Sequence, residues 1–329
     1  MKTYDLVGIG NAIVDVISKA DDSFLDLMGI EKGIMQLVER ERAEVLYGAM
    51  EGRVQTPGGS VANTIAGAGA LGLTTAFIGR VRDDALGRFY ADAMQDHGID
   101  FANPPVKGGE LPSSRSMIFV SPDGERSMNT YLGISSELSS DDVPKEVAGR
   151  AKIMFLEGYL FDKDKGKTAF LEAARDCRAG GGKTGIAISD PFCVERHRAD
   201  FLRLIENDLD FVIGNEAEIR SLYETEDLEA ALAQVAAICP LVVCTRSGDG
   251  VSMVADGMRI DVPVVKVVPV DATGAGDQFA AGFLFGLATG RDLETCAKMG
   301  CVCAGEVISH IGPRPEADMP ALLRGAGLL

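Results

Sequence analysis

The chain has 329 residues, 46% of them hydrophobic, enough for one large α/β domain with a smaller appendage. Its 32 Lys and Arg against 49 Asp and Glu leave a formal net charge of −17, which argues against nucleic acid or an anionic membrane as partner. No apolar run approaches the roughly 18 residues of a membrane span.

Residues 1–5 carry no signal-peptide pattern and lead straight into a strand at 6–9. Gly10-Asn11-Ala12-Ile13-Val14-Asp15 follows. Ligands of parallel sheets bind beyond the carboxyl ends of the strands, so Asn11 and Asp15 are placed to hydrogen-bond a polyhydroxylated substrate. The alternative is a turn-forming Asn and a surface Asp. Segments 14–57 and 108–134 show strand-like alternation without a βαβ beat, and 116–131 reads as a hairpin around Pro122-Asp123-Gly124. Pro57-Gly58-Gly59-Ser60-Val61-Ala62-Asn63 opens a helix at 61–71, with Gly58 and Gly59 bringing backbone close to a ligand and Asn63 offering an amide. Gly67–Gly72 matches G-x-G-x-x-G by letter but falls late in a helix, where close packing of that helix on the sheet explains it.

From residue 153, strands at 153–156, 185–189, 211–213 and 241–244 alternate with helices at 167–178, 198–206, 216–223 and 228–237. That rhythm predicts a parallel sheet covered on both faces. Gly180-Gly181-Gly182-Lys183-Thr184 imitates a P-loop, but Cys177 stands where a glycine is needed, and a helix precedes and a strand follows, the reverse of a P-loop. Seven cysteines without a Cys-x-x-Cys pair suit reduced thiols and a cytoplasmic location. Cys301 and Cys303 read as packing residues, and His97, His197 and His310 lack metal-ligand spacing.

The most informative stretch is Val270-Asp271-Ala272-Thr273-Gly274-Ala275-Gly276-Asp277, followed at once by an apolar helix at 278–287. The N–H groups of Gly274, Ala275 and Gly276 can converge on an anion at the helix start. Asp277 at that point either caps the helix or takes a proton from a hydroxyl that attacks phosphorus held over the glycines. The second reading is phosphoryl transfer to an alcohol.

Together with Asn215-Glu216-Ala217-Glu218, these ordered motifs resemble the ribokinase-like (PfkB) carbohydrate and nucleoside kinases, from Gly8 to about Pro315. The resemblance implies an α/β three-layer sandwich with a mostly parallel central sheet and a small β-sheet lid. The large domain would comprise 1–13, 58–107 and 135–329, and the lid 14–57 and 108–134. It further implies ATP and magnesium, Asp277 as catalytic base, and a backbone anion hole at Gly274, Ala275 and Gly276. Asn11, Asp15, Gly59 and Asn63 would hold sugar hydroxyls, with Gly58 beside them. Glu218, with Asn215, would organise magnesium through water. The nucleotide would lie across Thr245, Ser247, Gly248 and Gly250, near Thr273, with Ser247 replacing the middle glycine of the family's Thr-x-Gly-x-x-Gly. Asp271 lies where some relatives bind a monovalent cation such as potassium.

The start of the chain, its long insert at 21–38 and the ending Gly312-Pro313-Arg314-Pro315 resemble the adenosine-phosphorylating branch most. That implies a small-molecule acceptor, adenosine, with Met35, Leu37, Leu132 and Tyr159 lining a purine slot. Thr273, where eukaryotic-type members of that branch carry Asn, is equally at home in the sugar kinases, so a fructokinase- or ribokinase-like activity is the alternative. A silent sensor on the same fold has no need of Asp277. Monomer and homodimer are both open.

Overall fold

A computed structural model describes residues 4–329. Its strands are β1 (Tyr4–Ile9), β2 (Ile13–Lys19), β3 (Met35–Leu37), β4 (Val54–Gly58), β5 (Thr75–Ile78), β6 (Asp100–Phe101), β7 (Ser114–Val120), β8 (Arg126–Tyr131), β9 (Ala151–Glu157), β10 (Lys183–Ala187), β11 (Phe211–Asn215), β12 (Leu241–Thr245), β13 (Val251–Ala255) and β14 (Met258–Val262). Among the described residues they form a nine-stranded sheet, ordered β14-β13-β12-β11-β10-β9-β1-β5-β6, and a five-stranded sheet, ordered β3-β8-β7-β2-β4. The large sheet is parallel from β6 to β12, with β13 and β14 antiparallel at one edge.

Why the central strands read as continuous apolar runs is visible in their alternation. Leu6, Ile153, Phe155, Phe211, Ile213 and Val243 enter the core on one face. Their neighbours Val7, Met154, Leu156, Val212 and Val242 enter the core on the other. Successive side chains point to opposite faces, so a strand covered on both sides must be apolar throughout. The first face is covered by the helices Ser60–Ala70, Ala275–Ala288 and Leu293–Val307, the second by Asp164–Ala179, Pro191–Asp208, Glu216–Leu222 and Leu228–Ala236. This is the three-layer arrangement the sequence predicts.

Several boundaries move. The helix expected at 278–287 begins at Ala275, which draws Asp277 into its first turn. The helix expected at 198–206 runs Pro191–Asp208, with a break from helical geometry at His197. Arg40–Ala49 forms a helix that the alternation of 14–57 did not suggest. Gly67 packs against Gln278 and Ala281 of the helix Ala275–Ala288, whereas Gly69 lies against Thr75 of β5, so the G-x-G-x-x-G look-alike serves a helix–helix contact as well as packing on the sheet. Gly180–Gly182 forms the turn between the helix Asp164–Ala179 and β10. All seven cysteines are free thiols. No described helix is long and apolar enough to cross a membrane.

Candidate active site

Parallel strands bring their carboxyl ends to one side, which is where the motifs meet. Asn11 follows β1, Glu157 ends β9, Asn215 ends β11 and Thr245 ends β12. The helices Ser60–Ala70 and Ala275–Ala288 start on the same side. Each is preceded by a glycine in a left-handed conformation, Gly59 at φ 99° and Gly274 at φ 79°, without a capping side chain. Side chains rarely adopt such φ values. At Gly59 a Cβ would also strike the Asn11 carbonyl, and at Gly274 it would come within 2.6 Å of Pro313 Cα.

Asp277 faces the other helix start. Its Oδ1 accepts from Ser60 Oγ at 2.7 Å and its Oδ2 from Asn63 Nδ2 at 3.1 Å. Burial lifts its pKa to about 6, held from going higher by these two donors and by the charge of Arg314. A carboxylate has about four acceptor positions, so room remains for a third donor such as a substrate hydroxyl. In the adjoining loop the N–H of Ala275 donates back to the Ala272 carbonyl at 3.2 Å. The N–H groups of Gly274, Gly276 and Asp277 have no acceptor among the described residues. The open donors are therefore Gly274 and Gly276 with Asp277 itself, whereas Ala275 is engaged in the turn.

Asn11 is buried, and both ends of its amide are occupied. Nδ2 donates to Glu157 Oε1 at 2.9 Å, and Oδ1 accepts from Ser135 Oγ at 2.8 Å. Glu157 also accepts from the N–H of Asn11 at 3.0 Å and, through Oε2, from the N–H of Val61 at 3.0 Å. Burial raises its pKa to about 7 against the pull of those donors. Sequence reasoning missed Glu157. The rule applied to Asn11, a polar residue at the end of an apolar parallel strand, would have found it.

Asp15 lies on β2 with its carboxylate over Gly58, and burial raises its pKa to about 7 while Arg314 and Arg126 pull it down. Strand register defines the row it belongs to. Asp15 pairs with Thr56 and Ser116, Ser116 with Thr130, and Thr130 with Leu37. Two residues along, Ile17 pairs with Val54 and Ile118, Ile118 with Met128, and Met128 with Met35. These residues share one face of the smaller sheet. Arg126, on that face, reaches Asp271 at 2.6 Å, so the face turns toward the glycine loop.

The remaining expected residues are distributed as follows. Asp271 is fully engaged by the Thr273 N–H and hydroxyl, the Gly312 N–H and the Arg126 guanidinium. At the position expected for a monovalent cation the positive charge thus comes from a side chain. Glu218 forms a reciprocal cap with Asn215. Its oxygens accept from Asn215 N at 2.9 Å and Nδ2 at 2.6 Å, and burial lifts its pKa to about 8. Among the described residues no three His, Cys, Asp or Glu side chains converge as a metal cluster. A single carboxylate such as Glu218 fits a magnesium ion held chiefly by substrate phosphates and water. Thr245 leads into the Ser247–Asp249 turn, closed by Arg246 N–H on the Gly250 carbonyl. Leu132 and Tyr159 share a narrow crevice with Asn11, whereas Met35 and Leu37 are exposed on the edge strand.

Known proteins match this arrangement over most of its length. The chain is similar to a probable sugar kinase from Rhizobium etli, with 42% identity, TM-score 0.93 and full coverage of both chains. It is also similar to adenosine kinase from Sinorhizobium meliloti, with 46% identity, TM-score 0.91, and coverage of 98% of this chain and 99% of that one. A 5-dehydro-2-deoxygluconokinase of Bacillus licheniformis is 28% identical over 264 residues, 77% of this chain and 80% of the relative. The model of the pfkB family carbohydrate kinases matches residues 26–320, and with the glycine loop, the half-buried aspartate and the facing helix starts all in place, the chain belongs to that family.

Proposed function

We propose that this kinase transfers the γ-phosphoryl group of ATP to the 5′-hydroxyl of adenosine. The observation that carries the reading is the division of the site-facing row on the smaller sheet. Asp15, Thr56, Ser116 and Thr130 make a polar half that ends at Leu37 on the edge strand, and Ile17, Val54, Ile118, Met128 and Met35 an apolar half. A nucleoside divides in the same way into ribose and purine, whereas a free sugar carries hydroxyls around its ring and leaves the apolar half idle. The neighbour at 46% identity is itself an adenosine kinase.

In this reading the acceptor oxygen attacks the γ-phosphorus, its proton passes to Asp277, and the bond to the β,γ-bridging oxygen breaks with its electron pair leaving on ADP. A carboxylate with a pKa of about 6 is mostly ionised at neutral pH, yet basic enough to take a proton in the transition state. The free N–H groups at Gly274 and Gly276 stabilise charge on the transferring group. A magnesium ion near Glu218 would neutralise phosphate charge. The nucleotide lies toward Thr245–Gly250 and Asn215. The smaller sheet acts as a lid, tied to the glycine loop by Arg126–Asp271, that excludes water competing for phosphate.

The test is ATP consumption with adenosine, inosine, guanosine, ribose, fructose and 5-dehydro-2-deoxygluconate. Selective turnover of adenosine supports the proposal. Preference for a sugar acid or free sugar, in keeping with the 5-dehydro-2-deoxygluconokinase relative, overturns the acceptor and leaves the Asp277 chemistry in place. Ile118→Ser should raise KM for adenosine about tenfold with little change in kcat.

A further inference from the structure

Arg314 is a mostly buried guanidinium that makes no ion pair among the described residues. Its Nε donates to Asn63 Oδ1 at 3.2 Å, its Nη2 approaches the Met94 sulfur at 4.0 Å, and its Nη1 is buried without a partner. Burying a cation unpaired is costly, and replacing it by an apolar side chain would favour stability. Its retention therefore calls for another explanation.

The geometry points to Arg314 as the residue that positions the base: by donating to Asn63 Oδ1 it forces the other end of that amide, Nδ2, toward Asp277. Guanidinium nitrogens only donate, so the Asn63 oxygen must face Arg314 and the Asn63 amine must face the carboxylate. Without Arg314 the amide is free to rotate and to offer Asp277 an oxygen, acceptor against acceptor. Gln278 reinforces the same junction, its Nε2 donating to the Asn63 and Pro313 carbonyls at 3.0 Å each. One amide side chain thus ties the first turns of both site helices to the loop that carries Arg314. The inference rests on the reading of Asp277 as base.

The groups that face Asp277 are Arg314 from the C-terminal loop, Asp15 from β2, Glu157 from β9 and Glu218 from the helix Glu216–Leu222, besides Ser60 and Asn63. Three of the four charged groups are carboxylates, so after the Ser60 and Asn63 donors it is the charge of Arg314 that holds the Asp277 pKa down. Its loss should raise the acid limb of the kcat/KM–pH profile.

The experiment compares wild type with Arg314→Met, Arg314→Lys and Asp277→Asn, using the acceptor that supports wild-type turnover. In Arg314→Met the acid limb should move up by about one pH unit, with Tm unchanged or higher, and activity should recover as pH rises. Arg314→Lys should keep the limb within about 0.3 unit. An unmoved limb in Arg314→Met, or a pH-independent loss with a lowered Tm, overturns the positioning role. If Arg314→Met does not fold, Arg314→Leu, equally uncharged and equally unable to donate to Asn63, gives the same comparison. A wild-type-like limb and turnover in Asp277→Asn would instead overturn the base itself, which separates the two failures.

Discussion

The two helix starts that face each other across the site both open on a glycine at positive φ and differ in what fills them. At least six other helices begin with an aspartate that caps them: Asp21, Asp84, Asp190, Asp227, Asp292 and Asp318. These two begin with a left-handed glycine and no capping side chain. At Ser60–Ala70 the protein supplies its own anion, Glu157, which accepts from Val61 and also holds Asn11. At Ala275–Ala288 the N–H groups of Gly276 and Asp277 stay open. A helix start attracts negative charge in either case. One start is satisfied from within, while the other keeps open donors, which the proposed function assigns to a phosphate.

The sharpest way to break this contrast is at the open start. Asp277→Ala should lower kcat by ~10³-fold while substrate KM values stay within about tenfold, read by coupled ATP consumption. Near-normal turnover would make Asp277 a mere cap. Next, Gly276→Ala introduces a Cβ that meets nothing within 4 Å, so folding should be unharmed. ATP should nevertheless bind about tenfold more weakly, less than the ~10²-fold typical of deleting an anion-hole donor. Unchanged ATP affinity would show that phosphate does not sit there.

The closed start should respond in stability. Glu157→Gln cannot accept from Asn11 and Val61 with both ends of its side chain, because one end becomes a donor. It should cost about 1–3 kcal/mol in denaturant unfolding. The last effect is collective. Asp15, Glu157, Glu218 and Asp277 have pKa values of about 7, 7, 8 and 6 in the fold, all raised from 3.8 or 4.5. The native state therefore holds more protons than the unfolded chain between pH about 4 and 8, and stability falls as pH rises through that window. Thermal melts of the ligand-free protein should show Tm declining from pH 5 to pH 8. A Tm that rises over that range would mean these carboxylates stay ionised.

How much was legible in the sequence depends on the range of the interaction. The alternation of strands and helices after residue 153 was readable because two-sided burial leaves an uninterrupted apolar signature. The glycine loop was readable because its chemistry lies within eight consecutive residues. The start of the helix that carries Asp277 was misjudged by three residues, since Ala275 and Gly276 carry no apolar periodicity of their own.

The sequence by itself determined the layered α/β architecture and the presence of Asp277 beside a glycine turn that opens a helix, both consequences of local spacing and hydrophobic pattern. Only the tertiary structure decided what surrounds that aspartate. Ser60 and Asn63 reach it from more than 200 positions away, Arg314 orients Asn63, Glu157 fills the opposite helix start and Arg126 crosses from the smaller sheet to Asp271. The proton affinity and charge of a buried group are set by whatever the fold packs around it, and no spacing along the chain encodes those partners.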